Sequence, residues 1–184
     1  MNAPITGSAE QAFARFLDLE RQTRAARTPA QLTYSLVNDG QSLFNFRHAA
    51  LLIAGRVQAV TGVSAVDPHA PFVAFVEQAA AQLFKQGLLN QARVIAIDGL
   101  SESIQADWRS LSAGQVFWLP LIDHQGQMFG GLWLARDLPW SPPEQVLLAQ
   151  LGDTYSHAWL ALQPRKPWRL RWTRKRQLAL LASL

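Results

Sequence analysis

The stretch from Val116 to Ala135 constrains the chain more than any other. Val116-Phe117-Trp118-Leu119-Pro120-Leu121-Ile122 and Met128-Phe129-Gly130-Gly131-Leu132-Trp133-Leu134-Ala135 are apolar runs of strand length. Between them lies the polar, glycine-containing Asp123-His124-Gln125-Gly126-Gln127. Two such runs around a turn-rich loop read as a β-hairpin. Pro120 has no N–H to give a ladder, so its strand is expected to have an edge or a bulge there. Strand residues follow Gly130-Gly131, so the pair lacks the strand–loop–helix setting of a phosphate loop. Close backbone packing or a bulge is the better account of these glycines.

Helical periodicity brackets this hairpin. Ser8-Ala9-Glu10-Gln11 has the form of a capping box. After it, Ala9, Ala12, Phe13, Phe16 and Leu17 fall on one stripe, which predicts a helix over about 9–25. Thr28-Pro29 opens a second helix carrying Leu32, Leu36, Leu43 and Phe44, with Asn38-Asp39-Gly40 as a candidate interruption. The runs 46–54 and 57–66 predict a first hairpin turning at Ala54-Gly55-Arg56. Phe72, Val73, Val76, Ala79, Ala80, Leu83 and Phe84 predict a third helix, stopped at Gly87. From 87 to 114 the pattern weakens to one short strand, Arg93 to Asp98, among Gly-, Ser- and Gln-rich connections. Ser141-Pro142-Pro143-Glu144 is the strongest cap in the chain, and its helix runs through Leu147, Leu148, Leu151, Tyr155, Trp159 and Leu162 to Pro164.

With 184 residues, 49% of them apolar, the chain fits one domain with a proper core rather than a two-lobed enzyme or a disordered segment. The absence of cysteine excludes a disulfide scaffold, thiolate zinc ligation and a cysteine nucleophile, and it fits a reducing compartment. The first residues do not read as a secretory signal, and no window approaches the length of apolar residues that spans a bilayer.

The order of elements resembles that of a GAF domain, the antiparallel-sheet sensory module related to PAS. Two segments carry the likeness: the W-L-P-L-I-D-H-Q-G-Q-M-F-G-G-L-W-L hairpin and the helix that opens after Trp140-Ser141. The likeness spans about residues 8–163. It implies an α+β fold, with a central antiparallel sheet of five or six strands and helices packed on one face, the N-terminal helices and the C-terminal helix together. It also implies a pocket between the sheet and the stretch 87–115, where Arg93 would pair an anion, Asp98 would accept a hydrogen bond, and Trp108 and Trp118 would stack on a ligand. The plainer alternative places Trp118 in the core and Trp108 as a loop anchor, with the pocket small or empty. Three chemistries of the family are disfavoured: the polar constellation of its cyclic-nucleotide binders is missing, and the cysteines of its bilin binders and methionine sulfoxide reductases are absent.

No catalytic motif stands out, and the expected class is non-catalytic, with neither cofactor nor metal. His48, His69, His124 and His157 are scattered without metal-ligand spacing. Asp123 beside His124 reads as a turn-forming pair in solvent rather than an acid/base couple. A small enzyme using Asp98 rests on no motif.

The charge is distributed unevenly. The formal net charge is +4, yet residues 165–184 hold seven of the 17 Lys/Arg and none of the 13 Asp/Glu, leaving a body of net −3. Within that tail Arg165, Lys166, Trp168, Arg169, Arg171, Trp172, Arg174, Lys175 and Arg176 precede Leu178-Ala179-Leu180-Leu181. Basic residues with interfacial tryptophans leading into an apolar run read as the cytoplasmic flank of a transmembrane helix, cut just inside it, with anionic lipid as the partner. The expected location is the cytosolic face of an inner membrane. An N-terminal GAF-like domain before such a flank resembles, more weakly, one group of bacterial HlyD-like efflux adaptor (membrane fusion) proteins. Dimerisation through the first and last helices is a further expectation. The contrasting reading makes the tail a nucleic-acid arm. The acidic body speaks against it, because nucleic-acid binders more often carry a basic face on the fold itself.

Overall fold

The computed structural model describes residues 9–112 and 114–163. Its helices are α1 Ala9–Ala25, α2 Pro29–Asn38, α3 Gln41–Phe44, α4 Pro71–Lys85, α5 Glu102–Leu111 and α6 Pro142–Leu162. Its strands are β1 His48–Ile53, β2 Arg56–Val60, β3 Arg93–Ile95, β4 Gln115–Ile122 and β5 Met128–Arg136. The strands form one antiparallel sheet in the order β2-β1-β5-β4-β3.

Side chains alternate across a pleat, so an apolar run with no polar alternation must be covered on both faces. The β4–β5 hairpin behaves in that way. Phe117, Leu119, Leu121, Leu132 and Leu134 face one core with Phe16, Leu19, Leu32, Leu36, Leu148 and Leu151 from α1, α2 and α6. Val116, Trp118, Trp133 and Ala135 face the other core with Val73, Phe75, Val76, Ile104 and Trp108 from α4 and α5. The fold is α+β, with five strands and with the N-terminal and C-terminal helices together on one face, as expected. The opposite face carries the second helical layer.

Local chemistry explains the boundaries. Thr28 accepts a hydrogen bond from Gln31 N at the start of α2, and Pro29 occupies the first turn. Ala54 and Gly55, at φ 48° and 77°, form the two-residue turn between β1 and β2, whose primed geometry suits the twist of paired strands. Gly87, at φ 71°, ends α4, with its N–H bonded to Phe84 O and that of Leu88 to Leu83 O. Pro120 sits where β3 no longer pairs with β4, and a register shift follows between Leu121 and Ile122. There α6 completes the bonding: Ile122 N donates to Ser156 Oγ at 3.0 Å, while a Cβ on Gly152 would lie 2.7 Å from Leu119 Cδ1.

Three expectations need correction. The stretch 87–114 is not wholly irregular, because 102–111 is helical; of the apolar residues on α5 only Ile104, Trp108 and Leu111 turn inward, while Ala106 is exposed. Strand β2 ends at Val60 rather than Val66. The hydroxyl of Thr61 accepts from Ala49 N and donates to Val37 O, and Gly62 N donates to Asn38 Oδ1, so the chain is turned toward α2. On α1 the buried stripe is Ala12, Phe16, Leu19 and Thr23, which leaves Phe13 59% and Leu17 48% exposed.

Candidate functional site

At the end of the sheet where the β1–β2 turn meets the start of β5, a cavity of about 380 Å³ opens between the strands and the last turns of α4. On β5 it is lined by Met128, Phe129 and the bare backbone of Gly130. Gly130 has Leu52 O and the Ile53 side chain against the position of a Cβ, and Gly131 has the indole of Trp118 there. Glycine thus lets Trp118 lie flat across its neighbouring strand. The indole is fixed by a hydrogen bond from Nε1 to Leu89 O at 2.9 Å, and the residue is buried. Leu52, Leu89, Ala80 and Trp118 form the interior of the cavity, and Phe84 and Lys85 stand at its mouth. No acidic residue lines it.

Of the four candidate ligand residues, only Trp118 lines this cavity. Trp108 is carried by α5 and is 3% exposed. It packs 5.1 Å from Trp133 and edge-on to Phe75 at 6.0 Å, while Phe75 meets Trp133 edge-on at 5.8 Å. These rings fill the space between the sheet and α5, and Trp133 Nε1 has no acceptor among them. Arg93 lies half-buried on edge strand β3 opposite Trp118, and Asp98 is exposed in the following loop. The structure does not bring Arg93, Asp98 and the two tryptophans into one cluster. The tail residues Arg165, Lys166, Trp168, Arg169, Arg171, Trp172, Arg174, Lys175 and Arg176 lie outside the described residues.

The strongest polar constellation is one the sequence marked only by half. Arg136, at the end of β5, gives Nη1 to Glu144 Oε1 (2.8 Å) and Phe44 O (2.7 Å). Its Nη2 reaches Glu144 Oε2 (2.7 Å) and Pro139 O (2.6 Å), and its Nε reaches Leu138 O (3.0 Å). Its guanidinium stacks 3.9 Å from the ring centroid of Trp140. Glu144 also accepts from Ser141 N and Oγ. Burial by itself would raise the Glu144 carboxyl, but the hydrogen bonds from Arg136 and Ser141 and the Arg136 charge outweigh it and hold the group below its ordinary value. With every guanidinium nitrogen engaged, the pair ties α3, β5 and α6 together and offers nothing to a substrate.

Asp123 Oδ1 accepts from Gln125 N and Gln127 N, each at 2.8 Å, so it shapes its turn. His48 lies half-buried, 5.7 Å from Phe72 and tilted to it. Burial, reinforced by the Arg47 charge against a weaker pull from Asp137, lowers its pKa. Among the described residues no group of three His, Asp or Glu could hold a metal ion. A second hollow, of about 640 Å³, lies between α2, β2 and residues 62–66, but its walls bring Thr33, Asn38, Gln58 and Ser64 and none of the candidate residues.

No family model matches the chain, and no curated protein does. Solved structures do. The photosensory core module of a phytochrome from Stigmatella aurantiaca is similar at 15% identity and a TM-score of 0.64, over 98% of this chain and 42% of that one. The GAF domain of a cyanobacteriochrome is similar at 18% identity and 0.54, over 77% of this chain and 94% of its own. The GAF domain of a phosphoenolpyruvate-protein phosphotransferase from Acinetobacter is similar at 10% and 0.57, over 82% and 94%. The fold is therefore GAF-like. This chain spans under half the length of the phytochrome module, and identities this low carry the fold without what those proteins bind.

Proposed function

We propose that this chain is a non-catalytic sensory or regulatory domain that binds a small apolar ligand beside Trp118 and acts within a membrane protein. The observation that supports it best is the cavity against α4, with its apolar wall, in a fold shared with domains of phytochromes and cyanobacteriochromes. At about 380 Å³ the space falls near the lower end of the ~300–1,000 Å³ range of ligand pockets. It suits a small molecule rather than a tetrapyrrole or a dinucleotide. Arg136, Glu144, Ser141 and Asp123 are committed to structure, which favours recognition over catalysis.

Membrane attachment is supported by the sequence of the tail alone, since among the described residues no helix is long and apolar enough to cross a bilayer. The cytosolic inner-membrane setting and the efflux-adaptor context rest on that same tail. Self-association is supported by the exposed Phe13–Leu17 pair, one turn apart on α1.

Calorimetric titration of the full chain with decanol, an uncharged apolar probe, tests the ligand reading. Saturable binding that Ala81→Trp, at the cavity mouth, abolishes is the expected result; no binding to the parent chain would refute it. Flotation with anionic vesicles, set against oligonucleotide binding at matched salt, tests the tail, and tighter binding to the oligonucleotide would favour the nucleic-acid reading.

A further inference from the structure

The cavity has a chemical asymmetry that narrows its ligand. Its interior is apolar, and the one interior polar atom that its aromatic wall could offer, Trp118 Nε1, is already bonded to Leu89 O. A ligand with polar groups along its length would leave them desolvated and unpaired inside. The interior therefore selects an apolar body.

The mouth is different. Phe84, 63% exposed, and Lys85 follow Ala81 by one turn of α4, so an unburied phenyl ring and an ammonium stand side by side over the opening. Lys85 forms no ion pair with a described residue, whereas Arg56, at the start of β2, is held by Glu77 at 3.0 Å. Lys85 also sits in the last turn of α4, where it offsets the helix dipole. That dipole end amounts to roughly half a negative charge, less than the full charge of the ammonium, so an anion at the mouth still meets a net attraction.

Resting on the ligand reading above, we infer that the cavity takes a small amphiphilic carboxylate. Its chain or ring lies between Leu52, Leu89 and Trp118, its carboxylate pairs with Lys85 Nζ, and Phe84 folds over it. A cationic amphiphile is disfavoured by the same ammonium.

Decanoate, decanol and decylamine, titrated below their aggregation limits into the full chain, separate the possibilities. Decanoate is expected to bind about fivefold more tightly than decanol, a modest factor because the pair lies at a wet mouth, and decylamine more weakly than either. In Lys85→Met, decanoate should fall to the level of decanol while decanol is unchanged. Ala81→Trp should abolish both, which also shows that the decanoate is not held by the basic tail. Equal affinity of decanoate and decanol in the parent chain, or a preference that survives Lys85→Met, would overturn the carboxylate and leave the apolar pocket standing. Loss of binding by all three probes would remove the pocket reading itself.

Discussion

The two faces of the sheet are closed by different means. On the face covered by α1, α2, α3 and α6, packing reaches contact distance: a methyl added to Gly152 would press on Leu119, and the Arg136–Glu144 pair pins the start of α6 to β5 and to the end of α3. On the face covered by α4 and α5, rings do the filling, with Phe75, Trp108 and Trp133 in edge and tilted contacts, and the end of the sheet is left hollow beside Trp118. Interiors are normally packed to crystal-like density. The centre of the first face keeps to that and makes a rigid platform, with its own hollow confined to the margin between α2 and β2, whereas the second face leaves a hollow against its aromatic wall that can hold something. The difference separates stability from recognition within a single sheet.

The largest effect should come from breaking the tight face. In Glu144→Ala the buried Arg136 loses its counter-charge, and removing one partner of a buried pair costs about 3–5 kcal/mol. Urea unfolding should show that loss with an unchanged m-value. Arg136→Met/Glu144→Ala should cost less than the two single changes together, by about 1 kcal/mol or more. Acid should act in the same direction. The carboxyl is held below its ordinary value of 4.5 in the folded chain, so its contribution is complete above that value and disappears as pH falls through it toward the lower folded one. The difference in stability between the parent chain and Glu144→Gln should shrink over that interval.

Next in size comes the hollow face. A Cβ on Gly131 would run into the Trp118 indole, so Gly131→Ala should displace that ring and cost about 1–3 kcal/mol. The companion change Trp118→Leu should recover part of the loss, because the shorter side chain vacates the ring's place. If Gly131→Ala is as stable as the parent chain, Trp118 is not seated on the glycine as described. The same variant should weaken decanol binding, which ties the packing of this face to its capacity for ligand.

These contrasts were unevenly legible in the sequence. Strong caps and long apolar periods gave α1, α2, α4, α6 and both hairpins, because each rests on chemistry local to its own segment: Thr28-Pro29, Ser141 with Glu144, Ala54-Gly55, Gly87. Helix α5 escaped because Ile104, Trp108 and Leu111 are its whole apolar face, and a short polar helix on a sheet gains its stability from tertiary packing. Glu144 was legible as a capping residue, yet its bond to Arg136 joins elements that only folding brings together. The candidate site shows the same division. Trp118 was singled out through the pocket that the GAF resemblance implies, whereas Phe84 and Lys85 looked like the ordinary end of an amphipathic helix. Nothing in their spacing reveals that α4 ends over a gap left by Gly130 and Gly131.

The smallest expected effect concerns the edge of the hollow face, where His48 leans on Phe72. Burial disfavours the imidazolium there, with Arg47 adding to the effect and Asp137 opposing it, so the folded chain binds the proton less readily than the unfolded chain. The stabilising contribution is therefore complete above the ordinary value of 6.5 and is lost as pH falls through it toward the lowered value. Unfolding midpoints at pH 7.5 and 5.5 should show the parent chain losing more stability than His48→Gln, by an amount well below that of either larger change, since the ring is only half-buried. An equal loss in both chains would mean that the proton is taken up elsewhere and that this edge is as insensitive to charge as open solvent. A larger loss than Glu144→Ala would reverse the contrast between the faces, because the ring-filled side would then hold the group on which stability most depends.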